Sequence, residues 1–172
     1  ITSIKWVIFS IVVGIVAGSC GTAFYFALSV VTDFRMKYPW LIYFLPIGGL
    51  AIVGLYHLCK DDNDTGTNLV ISAIHSGDKV PFKMAPLIFV STLITHLFGG
   101  SAGREGAALQ MGGSIGSSIG RVFRFDEKDK HVMIMCGMSA AFSALFGTPM
   151  AAAIFSMEMI SVGVMYYIAL VP

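Results

Sequence analysis

The sequence predicts an all-α, polytopic membrane protein whose helices are interrupted at membrane depth. The 172 residues are 56% hydrophobic and only 12% charged, with a mean hydropathy of +0.80, which is too little polar surface for a soluble globule. Lys, Arg, Asp and Glu are absent from residues 6–32, 38–59, 84–103 and 132–157, and about 20 apolar residues cross a bilayer core. Glycine and proline clusters divide the later runs, which is tolerated in a membrane only where open backbone is buried in protein or lines a cavity.

The first third of the chain predicts two spanning helices. The first covers about residues 4–31; it is too long for the apolar part of a signal peptide, so we expect it to be retained. Gly14 and Gly18 are expected to form a face for close contact with another helix. The second helix is predicted over about residues 40–58. Aromatic residues of an interfacial belt mark its start: Tyr38, Trp40 and Tyr43.

A short helix is predicted next, over residues 69–74, because a polar segment leads into a brief apolar run. Small and capping residues precede it: Thr65, Gly66, Thr67 and Asn68. A helix of two or three turns cannot span a bilayer. Pro81 then starts a further helix that we expect to end near Phe98.

Residues 99–113 are the most informative stretch, because Arg104 and Glu105 stand together between two uncharged runs. Charges at membrane depth are costly unless they are used. The glycines here break the helix, and a new helix starts at residues 103–107 with its first N–H groups unpaired. Glycines every fourth residue give the new helix a flat face that we expect to pack against a neighbour: Gly112, Gly116 and Gly120.

The last helices are predicted over residues 128–145 and 150–159, with Gly147-Thr148-Pro149 between them. The charged connection before them, residues 121–130, mixes both signs and is typical of a solvated loop. The chain starts at Ile1 without a methionine and stops at Pro172 in an uncharged stretch. We therefore expect residues 1–172 to be an excerpt, or half, of a longer membrane domain.

Two of the predicted helix starts are candidate anion sites. A helix N-terminus carries about half a positive charge and several free N–H donors, so it can solvate an anion without holding it as tightly as a lysine would. The first candidate start is formed by Thr65, Gly66, Thr67 and Asn68. The second is formed by Gly103, Arg104, Gly106 and Ala107, together with Glu105. We expect the two starts to converge on one buried polar spot.

Glu105 adds a protonatable carboxylate to the second start. When ionised, it can occupy the anion's own place at the helix N-terminus; when protonated, it loses that attraction and can move away. Glu105 is thus a candidate gate and proton carrier. The alternative is a structural ion pair with a basic residue, although the adjacent Arg104 would not share its helix face.

Other classes of function find little support in the sequence. A net charge of +1 gives no case for nucleic-acid binding. Three widely spaced cysteines do not make a disulfide framework, and no metal spacing links the histidines at positions 57, 75, 96 and 131. A phosphate-binding membrane enzyme would lack the GxxxxGK[ST] motif and paired carboxylates. We therefore expect no enzyme activity, no metal and no cofactor.

At these motifs the sequence resembles the CLC family of chloride channels and chloride/proton antiporters. The stretch Gly103-Arg104-Glu105-Gly106, followed by Gln110-Met111-Gly112-Gly113, is similar to the family's Gly-Arg-Glu-Gly-Pro helix start and its Gln-x-Gly-Gly continuation. Residues 139–149 and the downstream Glu158 are similar to a later Ala-rich segment, a Pro-containing turn and a glutamate of the family. Together these resemblances cover about residues 66–159.

The resemblance implies that the chain is the N-terminal half of an inverted-repeat, CLC-type transmembrane domain. It implies a homodimer with a separate pore in each protomer, anions held between half-helix starts from both halves, and a multi-pass location in a bacterial cell membrane. The C-terminal half, with the family's pore tyrosine, would come from sequence beyond residues 1–172. The partners expected are a halide, protons, the lipid bilayer and the missing half.

Three positions depart from the family pattern. The family's Gly-Ser-Gly-Ile-Pro anion site is matched by residues 65–69, where Thr65 is the best substitute for the serine. The proline after the gate motif is Ala107. These two changes resemble the fluoride-exporting branch. The inner proton-transfer glutamate corresponds to Met159, which leaves the proton route beyond Glu105 open, and the neighbouring Glu158 is expected to be structural.

The leading hypothesis is therefore transport of fluoride or chloride, in exchange for protons, gated by Glu105. A passive chloride channel of the voltage-gated type on the same scaffold is the alternative, supported by Met159 in place of an inner carboxylate. A membrane scaffold that transports nothing is a more remote alternative. The sequence leaves open the ion, the coupling ratio and the orientation in the membrane.

Overall fold

The computed structural model describes residues 2–59 and 80–160. These residues form helices joined by short turns and loops, with no strand among them. Two helices and a 3-10 segment form the first part: α1 (Thr2–Lys37), the 3-10 segment Pro39–Phe44 and α2 (Leu45–Leu58). Four helices form the second part: α3 (Met84–Leu97), α4 (Arg104–Val122), α5 (Glu127–Phe146) and α6 (Pro149–Ile160). The all-α prediction is confirmed. The short helix predicted at residues 69–74 lies outside the described residues.

Two helical stretches are long and apolar enough to cross a bilayer, Lys5–Lys37 and Pro39–Leu58. The third charge-free run of the sequence, in contrast, does not form a single spanning helix. Its helix α3 has 14 residues and is about 21 Å long at 1.5 Å per residue, short of the ~30 Å hydrocarbon core. The fourth run is divided between α5 and α6 at Gly147, which has a φ of 69°, as the sequence predicts.

The first helix is longer than predicted, because it continues past Val31 to Lys37. Charged side chains in a last turn do not stop a helix, and the basic pair Arg35 and Lys37 suits the negative end of the helix dipole. The chain then turns at Tyr38 into the 3-10 segment, which begins at Pro39. A proline is well placed there because it lacks only an N–H that would be unpaired.

Helix α4 lies at the centre of the described fold. Twelve of its 19 residues are buried, and it packs most extensively on α5, with α3 and α1 on other sides. This central helix is rich in glycine and serine, whereas α1 and α2 leave many large apolar side chains exposed. A polar centre with an apolar exterior is the arrangement expected for a chain surrounded by lipid.

Close packing of the α4 glycines on another helix is confirmed. A Cβ at Gly112 would overlap the carbonyl oxygen of Gly137 in α5, and a Cβ at Gly137 would overlap that of Gly112. A Cβ at Gly116 would overlap the carbonyl of Met133. The contact loosens at Gly120, where the nearest atom to such a Cβ is 3.4 Å away. The α4–α5 backbones thus touch along this seam because α4 has glycines there and α5 has Gly137 opposite Gly112.

The close contact predicted for Gly14 and Gly18 is wrong within the described residues. Nothing lies within 4 Å of a Cβ built at either glycine. The buried side of α1 is instead formed one residue earlier in each turn, at Val13, Ala17 and Gly21. A Cβ at Gly21 would lie 2.8 Å from the carbonyl oxygen of Ala141 in α5. One residue corresponds to about 100° around a helix, which places Gly14 and Gly18 to the side of the contact.

Candidate functional site

The junction between α3 and α4 positions the motif Gly103-Arg104-Glu105-Gly106. Helix α3 ends in a Schellman turn in which the N–H of Gly99 bonds His96 O at 3.2 Å and the N–H of Gly100 bonds Thr95 O at 2.8 Å. Gly99 has a φ of 81°, which glycine adopts without strain. The ring of Phe98 lies against Gly48 of α2 and fixes the start of the loop.

Helix α4 begins with an open N-terminus. Its N-cap residue, Gly103, has extended backbone (φ −68°, ψ 123°) and forms no side-chain cap hydrogen bond. Arg104 and Glu105 follow as the first two helical residues, and both are exposed. Burial begins at Ala107, which is 6% exposed. The positive end of the helix dipole is therefore accessible while the body of the helix is enclosed.

The Glu105 carboxylate folds back toward the start of its own helix. Its Oε2 lies 3.3 Å from the position that a Cβ on Gly103 would take. Among the described residues, no hydrogen bond or ion pair involves this carboxylate, and the ion pairs found there are Lys5–Asp129 and Lys130–Glu127. The structural ion pair considered as the alternative role for Glu105 is therefore absent from this part of the chain.

A polar cavity of about 300 Å³ opens beside this helix start. Its walls come from α1, from the end of α3, from the loop and from the first residue of α4. The side chains that line it are those of Thr32, Arg35, His96 and Arg104, with residues 99–102 supplying most of the remaining wall. Sequence reasoning included Arg104 among the anion-binding residues, but it missed Thr32, Arg35 and His96.

One of the two predicted helix starts lies among the described residues. Gly103, Arg104, Glu105, Gly106 and Ala107 form the beginning of α4, as predicted. The other candidate residues lie outside the described part of the chain: Thr65, Gly66, Thr67 and Asn68. Convergence of the two starts on one polar spot therefore stays a prediction.

The described residues contain neither a metal-binding cluster nor a disulfide. No group of three or more His, Cys, Asp or Glu side chains that could hold a metal ion occurs among residues 2–59 and 80–160. The three cysteines, Cys20, Cys59 and Cys136, are free thiols.

Local hydrogen bonds hold the solvated connection before α5, where the N-cap Asp126 accepts a hydrogen bond from Asp129 N at 3.0 Å. Lys130 lowers the pKa of Glu127 through a 2.8 Å hydrogen bond and its positive charge.

The long apolar helices, the buried glycine seam and the helix that starts at an open N-terminus define a polytopic membrane protein with helices broken at membrane depth. Comparison with known proteins makes the class specific. The chain belongs to the voltage-gated chloride channel family, whose model matches residues 48–172. The match includes the whole of α3 to α6.

Two relatives with curated names illustrate the range of the family. A "chloride/fluoride channel protein" of Pseudomonas syringae pv. tomato is 42% identical over 169 residues, which is 98% of this chain and 37% of that protein. An "H(+)/Cl(-) exchange transporter ClcA" of Cronobacter sakazakii is 30% identical and matches 84% of this chain and 34% of its own length. The chain thus spans little more than a third of these relatives.

Solved structures give the same fold. The crystal structure of a CLC-type fluoride/proton antiporter matches with a TM-score of 0.88 at 40% identity, over 96% of this chain and 42% of that one. A slow cyanobacterial Cl⁻/H⁺ antiporter matches with a TM-score of 0.76 at 24% identity, over 95% of this chain and 43% of that one. The second likeness concerns the fold alone.

Proposed function

We propose that the full-length protein containing this chain carries a small halide, fluoride or chloride, across a bacterial cell membrane in exchange for protons, with Glu105 as the gate. One observation carries the proposal. Helix α4 presents an uncapped N-terminus whose second residue is an exposed glutamate. This start lies in a sequence otherwise free of charge from residue 84 to residue 120.

The gate works through competition for the helix start. An ionised Glu105 is attracted by the positive end of the α4 dipole and can take the place of an anion there. Protonation removes the negative charge, so the side chain loses this attraction and an anion can replace it. The fold of the carboxylate toward Gly103 supports this role, because it is already directed at the end of its own helix.

The remaining anion contacts are assigned to two places. Within α4, the backbone of Gly103, Arg104, Gly106 and Ala107 would donate to the anion. The predicted start at residues 65–68 would supply a second set of donors, with Thr65 as the hydroxyl. We propose that the chain is the first half of a transmembrane domain, completed by a second half and assembled as a homodimer in the bilayer. The 37% coverage of the Pseudomonas relative supports a longer protein.

A passive anion channel is the second candidate function. The Pseudomonas relative is named a channel protein, and the family resemblance matches Met159 to the position of an inner, proton-accepting carboxylate. Transport without proton movement would need only the helix-start donors and would leave Glu105 as an anion gate.

The test is the Glu105→Gln variant of the full-length protein in liposomes, because glutamine is nearly isosteric with protonated glutamic acid but has no transferable proton. We expect anion flux to persist while anion-driven proton uptake disappears. Glu105→Ala should also abolish proton uptake and leave a vacated site. Proton uptake at the wild-type rate in Glu105→Gln would refute the gate.

Two controls separate the remaining readings. A melting curve of each variant in detergent detects a structural role, because loss of an ion pair would lower the melting temperature together with the flux. A wild-type protein that conducts anions without any proton movement would indicate the passive channel. Absence of anion flux from the wild type would reject transport altogether.

A further inference from the structure

We propose that the cavity bounded by Thr32, Arg35, His96 and Arg104 is a vestibule site that holds a partly hydrated small anion before it reaches the start of α4. Arg35 is its principal positioning cation. This inference rests on the proposed function, since it concerns how the same anion approaches the gate. It concerns a residue of α1 far in sequence from the gate motif.

Two guanidinium groups, those of Arg35 and Arg104, lie at this cavity. Arg35 is half-buried and Arg104 is exposed, and both line the cavity. Neither forms an ion pair or hydrogen bond among the described residues. Arg121, by comparison, donates to the carbonyl oxygen of Val80 at 2.6 Å. Arginine cannot lose its charge in a protein and provides five N–H donors, so two such groups at one cavity favour an anion between them.

A second, independent observation is the Thr32 hydroxyl. Its Oγ1 is buried and has no hydrogen-bond partner. Serine and threonine hydroxyls within helices often bond the carbonyl four residues earlier, as Ser10 and Ser19 do in the same helix at 2.7 and 2.5 Å. A buried polar group without a partner is costly. Donation to an anion or to one of its waters would satisfy it.

The backbone is shaped to keep the Arg35 side chain at this cavity. A Cβ at Gly99 would lie 3.2 Å from Arg35 Nη1 and 3.5 Å from its Cδ, so the guanidinium end of the side chain rests on a glycine that has no side chain to displace it. The Schellman turn that requires a positive φ at Gly99 therefore also makes room for Arg35. The Arg35 side chain therefore packs against the loop that leads into α4.

Size and charge identify the ligand class. A volume of about 300 Å³ accommodates a monovalent anion with several waters, since one water needs only ~10–15 Å³ of such space. Among the described residues that line the cavity, none is acidic. Clefts lined by charges of one sign concentrate counter-ions and raise their association rates. The vestibule therefore raises the local halide concentration beside the open end of α4.

The experiment compares Arg35→Gln with Lys37→Gln in the full-length protein, by measuring initial halide flux from liposomes over a range of halide concentrations. Lys37 is a matched control because it lies in the same last turn of α1 but does not line the cavity. We expect Arg35→Gln to raise the KM for halide about three- to tenfold, with maximal flux retained, since one charge contributes part of the roughly 10- to 1,000-fold focusing that a whole charged cleft can produce. Arg35→Lys should recover part of the loss, and Lys37→Gln should match the wild type.

Specific results would overturn the vestibule site. Equal KM values for Arg35→Gln and the wild type would do so, whether or not the variant melts at a lower temperature. A variant whose melting temperature depends on anionic lipid while its KM is unchanged would indicate a lipid phosphate as the ligand instead. If Arg35→Gln and Lys37→Gln changed the KM for halide equally, Arg35 would act only through the general charge of the surface.

A second variant keeps the test decisive if Arg35→Gln does not fold. Thr32→Val is nearly isosteric and removes only the unpaired hydroxyl, so it should raise the KM for halide while leaving the protein folded. An unchanged KM in Thr32→Val would then reject the site. Both results are separate from failure of the proposed function, in which the wild-type protein itself would show no anion flux.

Discussion

At the residue scale, Gly99 and Arg124 occupy equivalent positions after two different helices. Each follows its helix in a Schellman turn; Gly99 has a φ of 81° and Arg124 a φ of 53°. The turn after α4 has the same pair of bonds as the turn after α3, from Arg124 N to Arg121 O at 3.1 Å and from Phe125 N to Gly120 O at 3.0 Å. Only Gly99 is a residue type that adopts this conformation without steric cost.

Arg124→Gly should therefore stabilise the protein by roughly 1 kcal/mol, because it relieves the left-handed backbone at an exposed position. Arg124→Ala is the matched control, since it removes the same side chain and charge but keeps the Cβ that causes the strain. Melting temperatures of the two variants in one detergent decide the question. A gain of equal size in both variants would mean that the charge, and not the backbone, is responsible.

Residues of the proposed gate and vestibule were predictable from sequence where they are contiguous, and unpredictable where the fold assembles them. Glu105 is visible because a glutamate among glycines in a long uncharged run is unusual at membrane depth. Arg35 has no such signal, since a basic residue after a spanning helix is typical of any membrane interface. Its position against Gly99 depends on how α1 crosses the α3–α4 loop, which no local pattern encodes.

At the scale of elements, the glycine seam between α4 and α5 is the feature that fixes the helix carrying Glu105, the proposed gate. Gly112 and Gly137 contact each other reciprocally, and Gly116 meets the backbone of Met133. The seam was predicted from α4 alone, because a four-residue repeat places its glycines on one side of a helix. The same pattern predicts a contact for Gly14 and Gly18 that the described residues do not form, because a small-residue face shows where a helix can pack closely and not which neighbour it meets.

Gly116→Leu should lower the folded yield and the melting temperature, because a side chain there would have to displace the α5 backbone. Overpacking of this kind costs on the order of 1–3 kcal/mol or more. Gly18→Leu is the matched control, since it introduces the same side chain at a glycine whose Cβ position has no described residue within 4 Å. Equal yields in detergent for both variants would contradict a close α4–α5 contact in the folded protein.

At the scale of the whole molecule, composition and charge-free runs were enough to predict an all-α membrane protein with broken helices. They were less informative about which runs cross the bilayer, because a charge-free run gives no helix length. In the run 84–103, for example, helix α3 ends at Leu97, and the remaining residues form the loop that leads into α4. Apolar composition at membrane depth is shared by lipid-facing helices and by loops enclosed in protein.

The last prediction concerns the identity of the transported ion, a property of the complete pathway. The residues proposed to face Glu105 across the anion site are Thr65 and Asn68, in a segment where the chloride-transporting pattern has Gly-Ser-Gly-Ile-Pro. Fluoride is smaller and more strongly hydrated than chloride, so a site must offer strong donors to replace its water. We expect fluoride efflux from liposomes to exceed chloride efflux under the same gradient, measured with ion-selective electrodes. Thr65→Val should lower the fluoride-to-chloride ratio about two- to tenfold, since one hydroxyl hydrogen bond contributes about 0.5–1.5 kcal/mol. Chloride flux equal to or above fluoride flux in the wild type would refute the preference, whereas the Glu105 gate would still be tested by proton uptake.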